Sequence, residues 1–107
     1  DDYTQAINID PNCASAYHNR GVARDDLGDK QGAIDDYTQA INIDPNCASA
    51  YHNRGDVRHQ LGDKQGGIDD FQTAADIYKQ IGDEAGYKEE LSYISHYSTE
   101  WIDTWEH

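Results

Sequence analysis

At 107 residues the chain amounts to one domain and is too short to enclose a large central core. Twenty-one acidic residues against eight basic ones leave a formal charge of −13. That charge argues against capture of nucleic-acid phosphate or of an anionic membrane by attraction, and it leaves a basic partner as the compatible one. No apolar run approaches the roughly 18 residues of a membrane span, and no charged-then-apolar leader precedes Asp1. The chain therefore reads as soluble, and its two cysteines, read below as reduced, fit a cytoplasmic origin. The chain starts without Met and inside a repeat, as a fragment of a longer protein would.

The block 1–34 is written again almost letter for letter as 35–68. The copies differ at five places: Val22/Asp56, Ala23/Val57, Asp25/His59, Asp26/Gln60 and Ala33/Gly67. A fixed period in this range marks stacked units, each covering its neighbour's apolar face.

In chain order, Tyr3, Ala6, Ile7 and Ile9 have helical spacing between Asp1 and Ile9. Asp10-Pro11-Asn12 stops that helix, since proline cannot continue it and extends the residue before it. Asn12 is read as the cap of the next helix. That helix is expected over Ala14 to Leu27, packing Ala16, Tyr17, Gly21 and Leu27, with Gly28 as a left-handed end. Asp29 caps a third helix, Lys30 to Ile43, whose inner face is Ala33, Ile34, Tyr37, Ala40 and Ile41.

The pattern then recurs as Asp44-Pro45-Asn46, a helix from Ala48 to Leu61, and Gly62-Asp63. No proline stops the next helix, so it runs past Ile77, Tyr78 and Ile81 to Gly82-Asp83. A last helix, Glu84 to Trp105, places Tyr87, Leu91, Ile94, Tyr97, Trp101 and Trp105 at three- and four-residue steps. Cys13 and Cys47 are equivalent repeat positions, about one helix-packing distance of roughly 8–10 Å apart. That exceeds the ~7 Å reach of a disulfide, so both are read as reduced packing residues.

Tyr17, Gly21, Leu27, Ala33, Tyr37, Ala40 and Pro45, followed by Tyr51, Gly55, Leu61, Phe71 and Ala74, resemble the tetratricopeptide repeat (TPR) signature over most of the chain. The resemblance implies an all-α solenoid of antiparallel helix pairs with a C-terminal capping helix. Its parts would be a second helix of a partial repeat (1–11), a repeat (12–45), a repeat with an extended second helix (46–82) and the cap (83–107). Arg20 and Arg54 stand where the family usually has Leu, and Arg24 and Arg58 where it usually has Tyr. Such Asn-Arg-Gly variants resemble a subgroup common in bacterial proteins. The arginines are read as structural, with buried stems and guanidinium forks on nearby carboxylates. Gly67 in place of alanine is expected to loosen its helix by roughly 0.5–1 kcal/mol.

No nucleophile motif, phosphate loop or Cys-x-x-Cys pattern is present, so neither an enzyme nor a cofactor is expected. The pairs Asp35-Asp36 and Asp69-Asp70 are read as solvated helix surface, because neighbours in a helix do not face each other. By the resemblance, the concave groove is lined by Ser15, His18, Asn19, Val22, Asp25, Asp26, Ser49, His52, Asn53, Asp56, His59 and Gln60. The lysines of the family's carboxylate clamp are absent. Asp25, Asp26 and Asp56 instead suit a protein or peptide segment carrying Lys or Arg. His52, Asp56 and His59 share one helical stripe and are the low-ranked metal candidates, beside a leading expectation of no metal. The leading function is a non-catalytic interaction scaffold. The alternative is end-to-end homo-oligomerisation through Tyr3, Ile7, Trp101 and Trp105, taken as exposed on unpaired terminal helices.

Overall fold

The computed structural model describes the backbone of residues 2–106 and the side chains of residues 2–98. Among them, six helices follow one another without a strand: α1 (Asp2–Ile9), α2 (Ala14–Asp26), α3 (Lys30–Ile43), α4 (Ala48–Gln60), α5 (Lys64–Ile81) and α6 (Glu84–Glu106). Each packs on the next, and α2 also touches α4. The result is a solenoid of antiparallel helix pairs, with α2/α3 and α4/α5 as its two hairpins.

Local chemistry sets the boundaries. Asp29, Asp63 and Asp83 each accept the backbone N–H three residues on, at 3.0 Å, satisfying a donor that the first helical turn leaves free. Gly28, Gly62 and Gly82 reverse the chain at φ of 88°, 93° and 79°, where a side chain would be strained. Two expectations are corrected at these ends. The N-cap of α2 is Cys13, without a side-chain bond, while the Asn12 N–H donates to Asp10 Oδ1 and closes an Asx turn. Leu27 and Leu61 are C-caps, 86% and 53% exposed, because the helix ends before their side chains can turn inward. Ile9 is likewise exposed on the last residue of α1.

The core is a row of aromatic rings and small residues. Ala33 and Tyr37 pack with Val57, and Ala40 and Ile41 with Ala50, joining the first hairpin to the second, while Ala48, Ala74 and Ile77 pack within the second. Full burial of side chains the size of Tyr37 and Phe71 contributes roughly 1.5–3 kcal/mol each. Cys13 and Cys47 are both free.

Asp36 and Asp70 correct the sequence reading most sharply, because they are buried while Asp35 and Asp69 remain in solvent. Arg20 grips Asp36 with two bonds of 2.9 and 2.7 Å, and Arg24 adds a third at 3.0 Å. Arg54 and Arg58 repeat this on Asp70 at 2.9, 2.9 and 3.0 Å. Each first arginine also donates to a threonine of the preceding hairpin or helix: Arg20 to Thr4 at 3.4 Å and Arg54 to Thr38 at 3.2 Å. The hydrogen bond to Asp36 raises the Arg20 pKa above its ordinary value, outweighing desolvation. The arginines that replace Leu and Tyr therefore form a charged clamp within each hairpin and a tie to the unit before it.

The two hairpins close differently. At Gly21 an added Cβ would lie 2.7 Å from the Tyr37 ring, so glycine admits the ring there. In the second hairpin the backbones themselves meet: a Cβ on Gly55 would lie 2.8 Å from the Gly67 carbonyl oxygen, and one on Gly67 would lie 2.8 Å from that of Gly55. Gly67 thus permits the approach of α4 to α5, a role that helix propensity alone does not reveal.

Candidate functional site

The helices α2 and α4 lie side by side and present one face. His18 Nε2 and Asn53 Nδ2 meet across it at 3.0 Å, and the His18 ring leans on Tyr37 at 5.7 Å. Ser15, Asn19, Val22 and Asp26 are exposed, His18 and Asp25 half-buried. Lys30 pairs with Asp25. On α4, Ser49 and Gln60 are exposed, while His52, Asn53, Asp56 and His59 are half-buried. Gln60 Nε2 donates to Asp56 Oδ2 at 3.1 Å.

Beneath this face stands a residue that the groove assignment omitted. The Tyr37 ring slides past Gly21 and is 1% exposed. Burial, and after it the negative charge of Asp25, Asp26, Asp56 and Asp36, pushes the Tyr37 pKa well above its ordinary range. The hydroxyl therefore stays protonated.

The other half of the assigned groove is occupied by α6. Glu90, 3% exposed, places its carboxylate oxygens 2.9 and 3.0 Å from His52 Nδ1. Tyr93 packs on the His52 ring at 4.9 Å and on Phe71 at 5.8 Å. Tyr97 stacks on His59 at 4.0 Å and on Phe71 at 5.4 Å. Burial lowers the His52 pKa, but the Glu90 hydrogen bond with the charges of Glu90, Asp56 and Glu89 more than offsets it, and the net shift is upward.

Several site expectations change accordingly. The metal stripe of His52, Asp56 and His59 is not assembled, since His52 is engaged by Glu90 and His59 by Tyr97. Among the described residues no group of three or more potential ligands converges. Tyr97 of the expected α6 stripe makes contact and is joined by Glu90 and Tyr93, whereas Leu91 is 37% exposed. Of the proposed end contacts, Tyr3 is 39% exposed but Ile7 is 8% exposed, buried where α1 packs on α2. Trp101 and Trp105 lie outside the described side chains. No helix among the described residues is long and apolar enough to cross a membrane.

The stacked helix pairs, their shared side-by-side face and the ring-over-glycine contact define a helical-repeat solenoid. A TPR repeat model matches residues 26–62 and a tetratricopeptide repeat model matches residues 48–81. The TPR domain of Arabidopsis OM64 is similar at 31% identity over 86% of this chain and 77% of that one, with a TM-score of 0.70. The chain belongs to the tetratricopeptide repeat family.

The second TPR domain of human RPAP3, solved with the HSP70 peptide SGPTIEEVD, is similar at 29% identity over 90% of this chain and 75% of that one, with a TM-score of 0.76. The TPR2B domain of yeast Sti1, in complex with pHsp70, shares the fold at 23% identity over 92% and 78%, with a TM-score of 0.84. No curated protein matches the chain.

Proposed function

We propose that the protein is a non-catalytic scaffold that binds an extended or helical protein segment carrying Lys or Arg on the face shared by α2 and α4. The observation that carries this reading is the convergence of Asp25, Asp26 and Asp56 on that face, with Lys30 as the counter-ion of Asp25. Peptide binding by similar TPR domains supports the use of such a face. Their ligands differ in sign, however: the RPAP3 peptide ends in Glu-Glu-Val-Asp, and no groove position assigned here is a lysine. Fold alone does not fix a ligand, so the chemistry of the face decides.

A rigid, preformed surface orders little on binding, and opposite charge steers the approach. Fluorescence anisotropy with a Lys/Arg-rich peptide and with an acidic peptide ending in a free carboxylate tests the reading. The basic peptide should bind, more weakly as salt rises, and the acidic one should not. Tighter binding of the acidic peptide would overturn it.

A further inference from the structure

We propose that the face of α1 formed by Asp2, Tyr3 and Ala6 is a second docking surface, and that its occupant is a helix of a partner molecule carrying the pattern Tyr-x-x-Arg-Gly-x-x-Arg. This surface is separate from the α2–α4 face and stands or falls independently of it.

The molecule contains the same helix twice. Residues 2–9 and 36–43 are identical in sequence, and α1 lies on α2 as α3 lies on α4. Arg20 donates to Thr4 at 3.4 Å as Arg54 donates to Thr38 at 3.2 Å, and Ile7 and Ile41 are buried to the same degree. On this side the two helices are matched.

On the other side α3 is covered and α1 is open. There α2 lies over α3: Tyr17 packs in the cluster around Ala40, the Tyr37 ring passes Gly21, and Arg20 and Arg24 close on Asp36. In α1 the same residues meet no such helix. Asp2 is exposed, Ala6 is half-buried, and Tyr3 is 39% exposed where Tyr37 is 1% exposed.

The covered copy states what fits the open one. The ring needs a glycine opposite it, because a Cβ at Gly21 would lie 2.7 Å from Tyr37. The carboxylate takes two arginines one helical turn apart, whose three charge-assisted bonds of 2.7 to 3.0 Å replace its water. A tyrosine three residues before the first arginine covers the alanine.

This chain has no such helix to spare. Its four arginines are all engaged, Arg20 and Arg24 on Asp36, and Arg54 and Arg58 on Asp70. Nor does α6 of a second copy fit. Glu90 meets His52 as Asn53 meets His18, and that register puts Leu91 and Ser95 where α4 has Arg54 and Arg58.

The test is an NMR titration of the whole chain with a blocked peptide of residues 14–27, held helical by a hydrocarbon staple in place of Asn19 and Ala23, away from Arg20 and Gly21. Preforming the helix removes the ordering cost. Two arginines balance two aspartates in this peptide, so charge does not draw it to the acidic α2–α4 face. It is expected to bind saturably and to move the Tyr3 ring signals more than those of Tyr37 or the amides of Asp25 and Asp56. Arg20→Gln with Arg24→Gln in the peptide, or Asp2→Asn in the chain, should each weaken binding tenfold or more, and Gly21→Leu in the peptide should abolish it. Asp2→Asn should leave the melting temperature unchanged. No saturation at millimolar peptide, binding that leaves Tyr3 unmoved, or binding that survives Asp2→Asn within twofold would overturn the proposal. So would self-association of the chain alone, seen by light scattering and lost in Tyr3→Ala, since a second copy would then be the occupant.

Discussion

The two hairpins are nearly the same sequence in two settings. Each is closed by the same arginine–aspartate clamp, yet the aromatic residue at its centre meets different company. Tyr37 sits against Ala33 and Val57, whereas Phe71 sits beneath Tyr93 and Tyr97, with the His59 ring stacked on Tyr97. Residues that differ between the copies follow that contrast. Asp25/His59 and Ala33/Gly67 lie where the second copy meets α6 or draws its two helices together. A repeat thus keeps its charged clamp while its closing contact and the surroundings of its ring change.

The largest expected effect addresses what the hairpins share. Asp36→Ala or Asp70→Ala leaves two guanidinium groups without their buried carboxylate, and each should cost about 3–5 kcal/mol of unfolding free energy in urea. Because the geometry recurs, the two losses should agree closely. A large loss at Asp70 beside a negligible one at Asp36 would break the equivalence of the clamps.

The next two effects should separate the hairpins. Gly67→Ala would stabilise an ordinary helix by roughly 0.5–1 kcal/mol, but here the new methyl would meet the Gly55 carbonyl oxygen. Overpacking of that kind typically costs about 1–3 kcal/mol, so the expected sign is a loss of stability, read from the urea midpoint. Phe71→Tyr should cost about 1–3 kcal/mol by placing a hydroxyl beneath Tyr93 and Tyr97. The reverse change, Tyr37→Phe, should stay within about 0.5 kcal/mol. Equal costs for the two changes would show that the settings of the two rings do not differ.

The smallest effect concerns the attachment of α6. His52 has a folded pKa above its ordinary 6.5, so its contribution is complete below that value and fades as pH rises through the folded pKa. Amide exchange in the first turns of α6 should be slower near pH 6 than near pH 8, after correction for intrinsic rates. Glu90→Gln should flatten that difference.

The order of helices was legible because Pro11, Pro45 and the Gly-Asp pairs act locally: a missing donor, a left-handed turn and a capping carboxylate need no tertiary knowledge. Burial of Asp36 was not legible from Asp35-Asp36 alone, since one member of such a pair does face water. The signal lay at longer range, in a 16-residue offset from Arg20 to Asp36 that recurs from Arg54 to Asp70. In α6 two neighbouring stripes share helical spacing. Tyr97 was legible in the more apolar stripe that also carries Leu91, whereas Glu90 and Tyr93 lie in the stripe beside it and make contact because His52 and Phe71 receive them. The groove positions of α2 were placed by family resemblance, but the Tyr37 hydroxyl beneath them was missed, because an aromatic ring at that position reads as core.

The most direct test gives the first hairpin the residues of the second. The double change Asp25→His with Asp26→Gln should leave the melting temperature nearly unchanged and reduce calorimetric binding of a Lys/Arg-rich peptide by tenfold or more. Binding at wild-type strength by that variant would contradict the assignment of the acidic face of the first hairpin as the place where the partner is held.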